Sequence, residues 1–343
     1  GTAAAGPAAR AETPAAPAVN RGTREFILAT VWPLDTPVYG DSVLRLTRRI
    51  EAATEGRYRI TPASVSRSGL AAVLQGADLY HGSEHFHLET EPALAYFAAI
   101  PGRLGLDARS FEAWLISGGG QLLWDDLAAG FGIKPLLAGH TGPSVGLWLK
   151  QAISDETGFT GLRLSVFGLA GQVLTALGGE PHALSPTELT DALAEHRIDG
   201  AEWAGPMASL VLGLYRHARR LSGATFHPAG CAYSLGIRRD LWEAFSSSDR
   251  AIFEACAAEE VRISLAEAIA HRRIAWKLLS ELHSVPIERR RAWWTPALDR
   301  AAEDAVGEVA ASSAKAARID HSYRAFAAQV RDHRRMPWAG PIA

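Results

Sequence analysis

The chain has 343 residues, long enough for two lobes with a core each, and its composition is globular, with 48% hydrophobic and 21% charged residues. A net charge of −2 without any Lys/Arg-dense block leaves no electrostatic footprint for nucleic acid. No apolar run reaches the length of a membrane-spanning helix, so a soluble chain is expected.

Residues 1–23 are mostly Ala, Pro, Gly and Thr, which cannot bury apolar surface and predict a disordered leader or linker. They lack the apolar region of a signal peptide, so for an exported protein the signal is expected to be gone already. Two readings of the segment stay open, a tether to a membrane anchor and an inconsequential terminus. Arg24–Thr30 then reads as a strand, followed by a turn at Trp32-Pro33. A helix starts at Asp41-Ser42, carries Val43, Leu44, Leu46, Ile50 and Ala53 on its apolar face, and closes at Gly56 before a strand from Arg57. Further strand-like pieces are Ala77–Tyr80, Ala113–Ile116, Pro135–Ala138, Leu162–Val166 and Tyr233–Ile237, with helical stretches between them. Such alternation predicts an α/β fold with sheets flanked by helices. From Ser247-Asp249 a helical pattern runs past Leu282. Beyond Pro286 and a basic-aromatic patch at 289–294 come two more helices, Thr295–Ala317 and Ile319–Arg335, and a turn-like tail, MPWAGPIA. Two cysteines, Cys231 and Cys256, allow one disulfide and have no metal-site spacing; unpaired, partly buried thiols are expected.

An ordered series resembles the solute receptors of TRAP transporters, the DctP family, nearest the branch that binds 2-oxo and 2-hydroxy acids. It comprises FILATVWP, EGRYRI, EPALAYFAAIP, AWLISGGGQLLWDDLAAGFGIKPLLAGHTG and the gap-free GLRLSVFGLAGQVLTALGGEPHALSPTELTDALAEHRIDGAEWAGP, then the long helix. The resemblance implies a two-lobed periplasmic-binding-protein fold, type II-like, with mixed sheets, one long helix bracing both lobes and extra C-terminal helices. Lobe 1 is expected over 24–141 plus about 228–268 and lobe 2 over 142–227 plus about 269–294, with 295–343 forming C-terminal helices that could pair subunits in a homodimer. It further implies a non-enzymatic periplasmic receptor that closes over a small organic ligand and hands it to membrane permease subunits.

In the family, the strand matching 161–168 supplies an arginine that grips the ligand carboxylate bidentately. That position is Ser165 here, and the family's proline is Phe167. Arg163 shares the Ser165 face by strand alternation, though it matches a surface lysine of the family. The branch can also hold a bridging cation through a Gln, the Glu-Trp pair and a later Glu. Here the Gln position is Ser144 and the later Glu position is Pro228, while Glu202 and Trp203 persist. That is too few oxygens for calcium, so no cofactor is expected and a divalent cation is disfavoured. The family's Asn and Tyr pocket positions read His140 and Met207. Ligand-binding candidates are therefore Trp32, His81, His85, His140, Ser144, Ser165, Phe167, Glu202, Trp203, Met207 and His227. A buried Glu202 needs hydrogen-bond donors, a cationic ligand group or a proton. The expected ligand is less acidic and more apolar than a 2-oxo acid, with a polar or cationic group toward Glu202. A degenerate receptor or a regulatory scaffold that has kept only the fold is the competing expectation.

Two other motifs compete for the same residues. His81, His85 and Glu84 could seat zinc or copper if a helix begins near Ser83; hydrogen-bonding cleft histidines, His87 among them, are the alternative. Gly142-Pro143-Ser144-Val145-Gly146 matches the G-x-S-x-G of a serine hydrolase, between a strand-like PLLAGH and a helix-like GLWLKQAI. Asp199 and His227 would follow in triad order, with Gly118–Gly120 as the oxyanion loop.

Overall fold

The computed structural model describes residues 22–65, 68–144, 146–154, 156–203, 205–223, 225–288 and 294–334. The leader over 1–21, residues 289–293 of the basic-aromatic patch and the MPWAGPIA tail lie outside the described residues. Ten strands follow the alternating apolar pattern: β1 (Arg24–Thr30), β2 (Tyr58–Ser64), β3 (Leu79–Gly82), β4 (Ile133–His140), β5 (Leu147–Leu149), β6 (Arg163–Ser165), β7 (Glu180–His182), β8 (Gly200–Glu202), β9 (Arg220–Leu221) and β10 (Ala232–Arg238). They form two five-stranded sheets, β2-β1-β3-β10-β4 and β7-β6-β8-β5-β9. Each sheet has three parallel strands and then one antiparallel strand, β10 in the first and β5 in the second. The chain enters the second lobe after β4 and returns before β10.

A third link is the helix Ser247–Lys277, which packs on β4 and the helix Tyr39–Ala53 in lobe 1 and on the helix Pro206–Val211 in lobe 2. Ser246 caps its start by accepting from the Asp249 amide. Glu260, 1% exposed, ties it to lobe 1 by accepting from the Ser42 hydroxyl at 2.7 Å and from Arg45 Nε at 2.8 Å. A charge this deeply buried is stable only with such partners.

The C-terminal helices, Trp294–Ala311 and Ala314–Arg334, fold back on their own chain. Trp294, Ala297, Leu298, Ala301, Ala302, Ala305, Val306 and Val309 recur at helical spacing and are buried; Trp294, Leu298, Ala301, Ala302 and Ala305 join the core of lobe 2, and Val306 and Val309 that of lobe 1. The second helix lays Ala316, Ile319, Tyr323 and Ala327 on lobe 1. The break falls at Ser312-Ser313, five residues before the expected one, because Ser313 Oγ accepts from the Ala316 amide and restarts the helix there.

Two further expectations need correction. Ala113–Ile116 is helical, within Ala108–Ser117: Asp107 accepts from the Ser110 amide as a cap, and Phe111, Trp114 and Leu115 bury one helical face. GLWLKQAI is not a helix. Its Leu147–Leu149 forms β5, with all three residues buried between β8 and β9.

Candidate functional site

In open α/β sheets, ligands settle beyond the carboxyl ends of the parallel strands. Here those ends converge from both lobes on a cavity of about 70 Å³. Trp32 follows β1; Ser83, His85 and Phe86 follow β3; Thr141 and Ser144 follow β4. From the second sheet, Phe167 follows β6 and Glu202-Trp203 close β8. Tyr39, His227, Gly230, Cys231 and Tyr233 complete the wall. Rings meet across the cleft: Phe86 and Phe167 are edge to face at 5.2 Å, Tyr39 and Trp203 at 5.9 Å, and the His85 and His227 rings lie 4.9 Å apart. Gly168 closes the seam. It has φ +59, and a Cβ there would stand 2.1 Å from His85 Nδ1, so only glycine lets the lobes approach this far.

Glu202 is 8% exposed and fully satisfied from within. Oε1 accepts from the Thr225 hydroxyl and from the His227 amide at 2.8 Å, while His227 Nδ1 donates to Oε2 at 2.8 Å. Burial works to raise the carboxyl pKa, but the positive charge and hydrogen bonds of His227 and the Thr225 hydroxyl outweigh it, and the group is held below its ordinary value. Of the three ways to stabilise a buried Glu202, hydrogen-bond donors are the one present here. Among the residues lining the cavity no lysine or arginine occurs. Burial, and then the charge of His227, press His85 well below the usual histidine range. Cys231, 3.0 Å from Ser83 Oγ, is pushed up to about 12 by burial and stays a thiol. It does not pair with Cys256; both are free.

Seven of the sequence candidates line this cavity: Trp32, His85, Ser144, Phe167, Glu202, Trp203 and His227. Four do not. His81 is on β3, its Nε2 against the Ala138 carbonyl at 3.4 Å, and burial lowers its pKa to about 4. His140 is likewise lowered to about 4, its Nδ1 accepting from the Gly142 amide at 3.0 Å. Ser165 is fully buried inside β6 with its hydroxyl unpartnered. Met207 lines a separate cavity of about 50 Å³ beside Pro206, Glu267 and Arg272. Arg163 does not reach the cleft either: its guanidinium runs along the lobe surface to Asp199 at 2.8 Å and to the His196 carbonyl.

The competing motifs come apart in three dimensions. Ser144 sits between two strands, β4 and β5, and a nucleophile elbow needs a helix after the serine. Asp199 is engaged by Arg163 and His227 by Glu202, so no triad forms; Val145 lies outside the described residues. His81 and His85 are not one helical turn apart, since the first is in β3 and the second in a single 3₁₀ turn, Glu84–His87. His87 instead donates to Glu84 at 2.6 Å, and no group of three metal-ligating side chains occurs among the described residues. Sequence reasoning missed Tyr39, Ser83, Phe86, Thr141, Gly230, Cys231 and Tyr233, which only the strand order brings to the cleft.

Two sheets clasping an aromatic-walled cavity between them make this a two-lobed binding protein. Residues 28–306 match the model of the bacterial extracellular solute-binding protein family 7, DctP, and the chain belongs to that family. A monocarboxylate 2-oxoacid-binding periplasmic protein of Nostoc sp. is 30% identical over 240 residues, 68% of this chain and 65% of that relative. A TRAP transporter solute-binding protein from Bordetella bronchiseptica RB50, a mixed-occupancy dimer with calcium and picolinate in one site, superposes with a TM-score of 0.86 at 24% identity, over 91% of this chain and 94% of the other. One from Pseudoalteromonas atlantica T6c, with sodium and pyruvate, gives 0.86 at 22% identity, over 91% and 96%. The resemblance in fold is therefore confirmed over nearly the whole chain.

Proposed function

We propose that this chain is an extracytoplasmic receptor of a TRAP-type transporter, which captures a small organic solute by closure of its lobes and presents it to membrane permease subunits. Family membership and the shared fold support the class, and no helix among the described residues is long and apolar enough to cross a membrane. We take lobe 1 as 24–141 plus about 228–268 and lobe 2 as 142–227 plus about 269–294, the division that the two sheets suggest.

One observation carries the reading of the ligand: the cavity joins six aromatic side chains, Trp32, Tyr39, Phe86, Phe167, Trp203 and Tyr233, to a Glu–His pair, with no guanidinium or ammonium group in its wall. Its volume corresponds to roughly five water positions, the scale of a small organic molecule. A 2-oxo acid would bring a carboxylate that no arginine grips here. Relatives hold calcium or sodium beside their ligand, but these residues do not fit calcium. Both Glu202 oxygens already accept hydrogen bonds, and calcium requires six to eight oxygens. The solute is thus less acidic and more apolar than pyruvate. A thermal-shift screen of small organic solutes checks this, because a ligand at a hundredfold its Kd stabilises by about 2.7 kcal/mol. A hit among uncharged compounds supports the receptor; a folded protein that no member of the screen stabilises favours a scaffold.

A further inference from the structure

The Glu202–His227 pair leaves one valence open. His227 is 6% exposed, its Nδ1 is committed to Glu202, and its Nε2 is buried without a partner in the cavity wall. A buried polar atom without a hydrogen bond is costly unless something meets it. The indole N–H groups of Trp32 and Trp203, donors only, are also buried and unpartnered in the same wall. Unpartnered indoles occur elsewhere, at Trp124 and Trp148, so the weight falls on His227. The other groups facing it are Thr225 and Glu202, whose hydrogen bonds lock the ring, and His85, whose ring lies 4.9 Å away.

Charge then selects the chemical class. Glu202 is a buried carboxylate already answered by His227 and Thr225, and no lysine or arginine lines the cavity. An anionic ligand would add an uncompensated charge in an aromatic enclosure, a large desolvation penalty. A neutral ligand carrying both an N–H and a C=O meets Nε2 whether that nitrogen donates or accepts, and adds no charge. Building on the receptor reading above, we propose that His227 Nε2 is the polar anchor of the site and that its ligand is a small uncharged compound with both an N–H and a C=O, such as an amide or lactam. Glu202 is a positioning residue, which fixes the ring.

The test uses pyruvamide and pyruvate, probes of nearly one shape that differ in charge, titrated calorimetrically into the full chain. Wild type is expected to bind pyruvamide at least tenfold more tightly than pyruvate. His227→Phe keeps the ring and removes both nitrogens, and is expected to lose tenfold or more in pyruvamide affinity. His227→Gln retains a neutral N–H and should recover part of that loss, which a merely structural role would not produce. Circular dichroism confirms that each variant is folded, and if His227→Phe does not fold, the His227→Gln and wild-type titrations decide alone. Tighter binding of pyruvate, binding of neither probe to wild type, or unchanged pyruvamide affinity in a folded His227 variant overturns the proposal. The receptor reading survives that failure if another solute in the wider screen still binds, and falls only if none does.

Discussion

Among the described residues are two buried glutamate–histidine pairs, one in each lobe, and they have been put to different uses. In lobe 1, Glu84 Oε1 accepts from the Tyr80 hydroxyl at 2.8 Å and Oε2 from His87 Nδ1 at 2.6 Å, while His87 Nε2 accepts from the Leu70 amide at 3.3 Å. Every polar atom of that network is answered by the protein, and Tyr80 itself is only 3% exposed. In lobe 2, Glu202 is equally well answered, but His227 Nε2 is not, and it stands in the wall of the interlobe cavity. The same side-chain chemistry is scaffold when closed and a recognition element when one nitrogen is left for a solute.

Breaking the closed pair should have the largest effect on folding. Glu84→Ala strips acceptors from Tyr80 and His87 together and is expected to cost about 3–5 kcal/mol in urea unfolding, since it leaves buried partners unanswered. A loss below about 1 kcal/mol would mean that the network is not the prop described.

Acid should separate the scaffold histidines from the carboxylates. His81 and His140 are held near 4 in the fold against an ordinary 6.5, so the unfolded chain binds more protons between those values. Their contribution is complete above about pH 6.5 and is lost as pH falls toward 4, up to about 3 kcal/mol for each. His140→Asn keeps an acceptor for the Gly142 amide and should flatten this slope in pH-dependent unfolding; an unaltered slope contradicts the assignment.

Gly168→Ala tests the seam between the lobes. Its Cβ would enter both a φ +59 conformation and the space beside His85 Nδ1, a cost of about 1–3 kcal/mol. Because the clash is interlobe, the loss should appear mainly as a larger radius of gyration in solution scattering and weaker ligand affinity, with a smaller change in unfolding. The smallest effect is expected for Arg163→Ala: its surface pairing with Asp199 is screened by water. Solute affinity should not change, and an abolished affinity would restore Arg163 as the missing carboxylate clamp.

Much of the fold was legible because it is local. REFILAT, PLLAGH and AYSLGIR are apolar runs of strand length, and the stripe from Trp294 to Val309 has helical spacing. The failures were short apolar runs, where the period cannot discriminate. Ala113–Ile116 became helix through the Asp107 cap, and LWL became strand through pairing with β8 and β9. At the site, resemblance located Glu202, Trp203 and Phe167, since each ends a strand or lies within two residues of its end. The capture of Glu202 by Thr225 and His227, more than twenty residues on, has no signature in either segment. It follows from the return of the chain toward β10, where Gly230 (φ +87) packs so closely on Gly142 that a Cβ would lie 1.8 Å from its carbonyl oxygen.

The most direct test is a crystal structure of the protein purified from its native host with the co-purified solute retained, read at His227. We expect a small uncharged molecule in the cavity with an amide nitrogen or oxygen about 2.7–3.2 Å from Nε2, and Glu202 still bonded to Nδ1. A carboxylate anion bridged to Glu202 by a metal ion, with His227 turned away, would contradict the account.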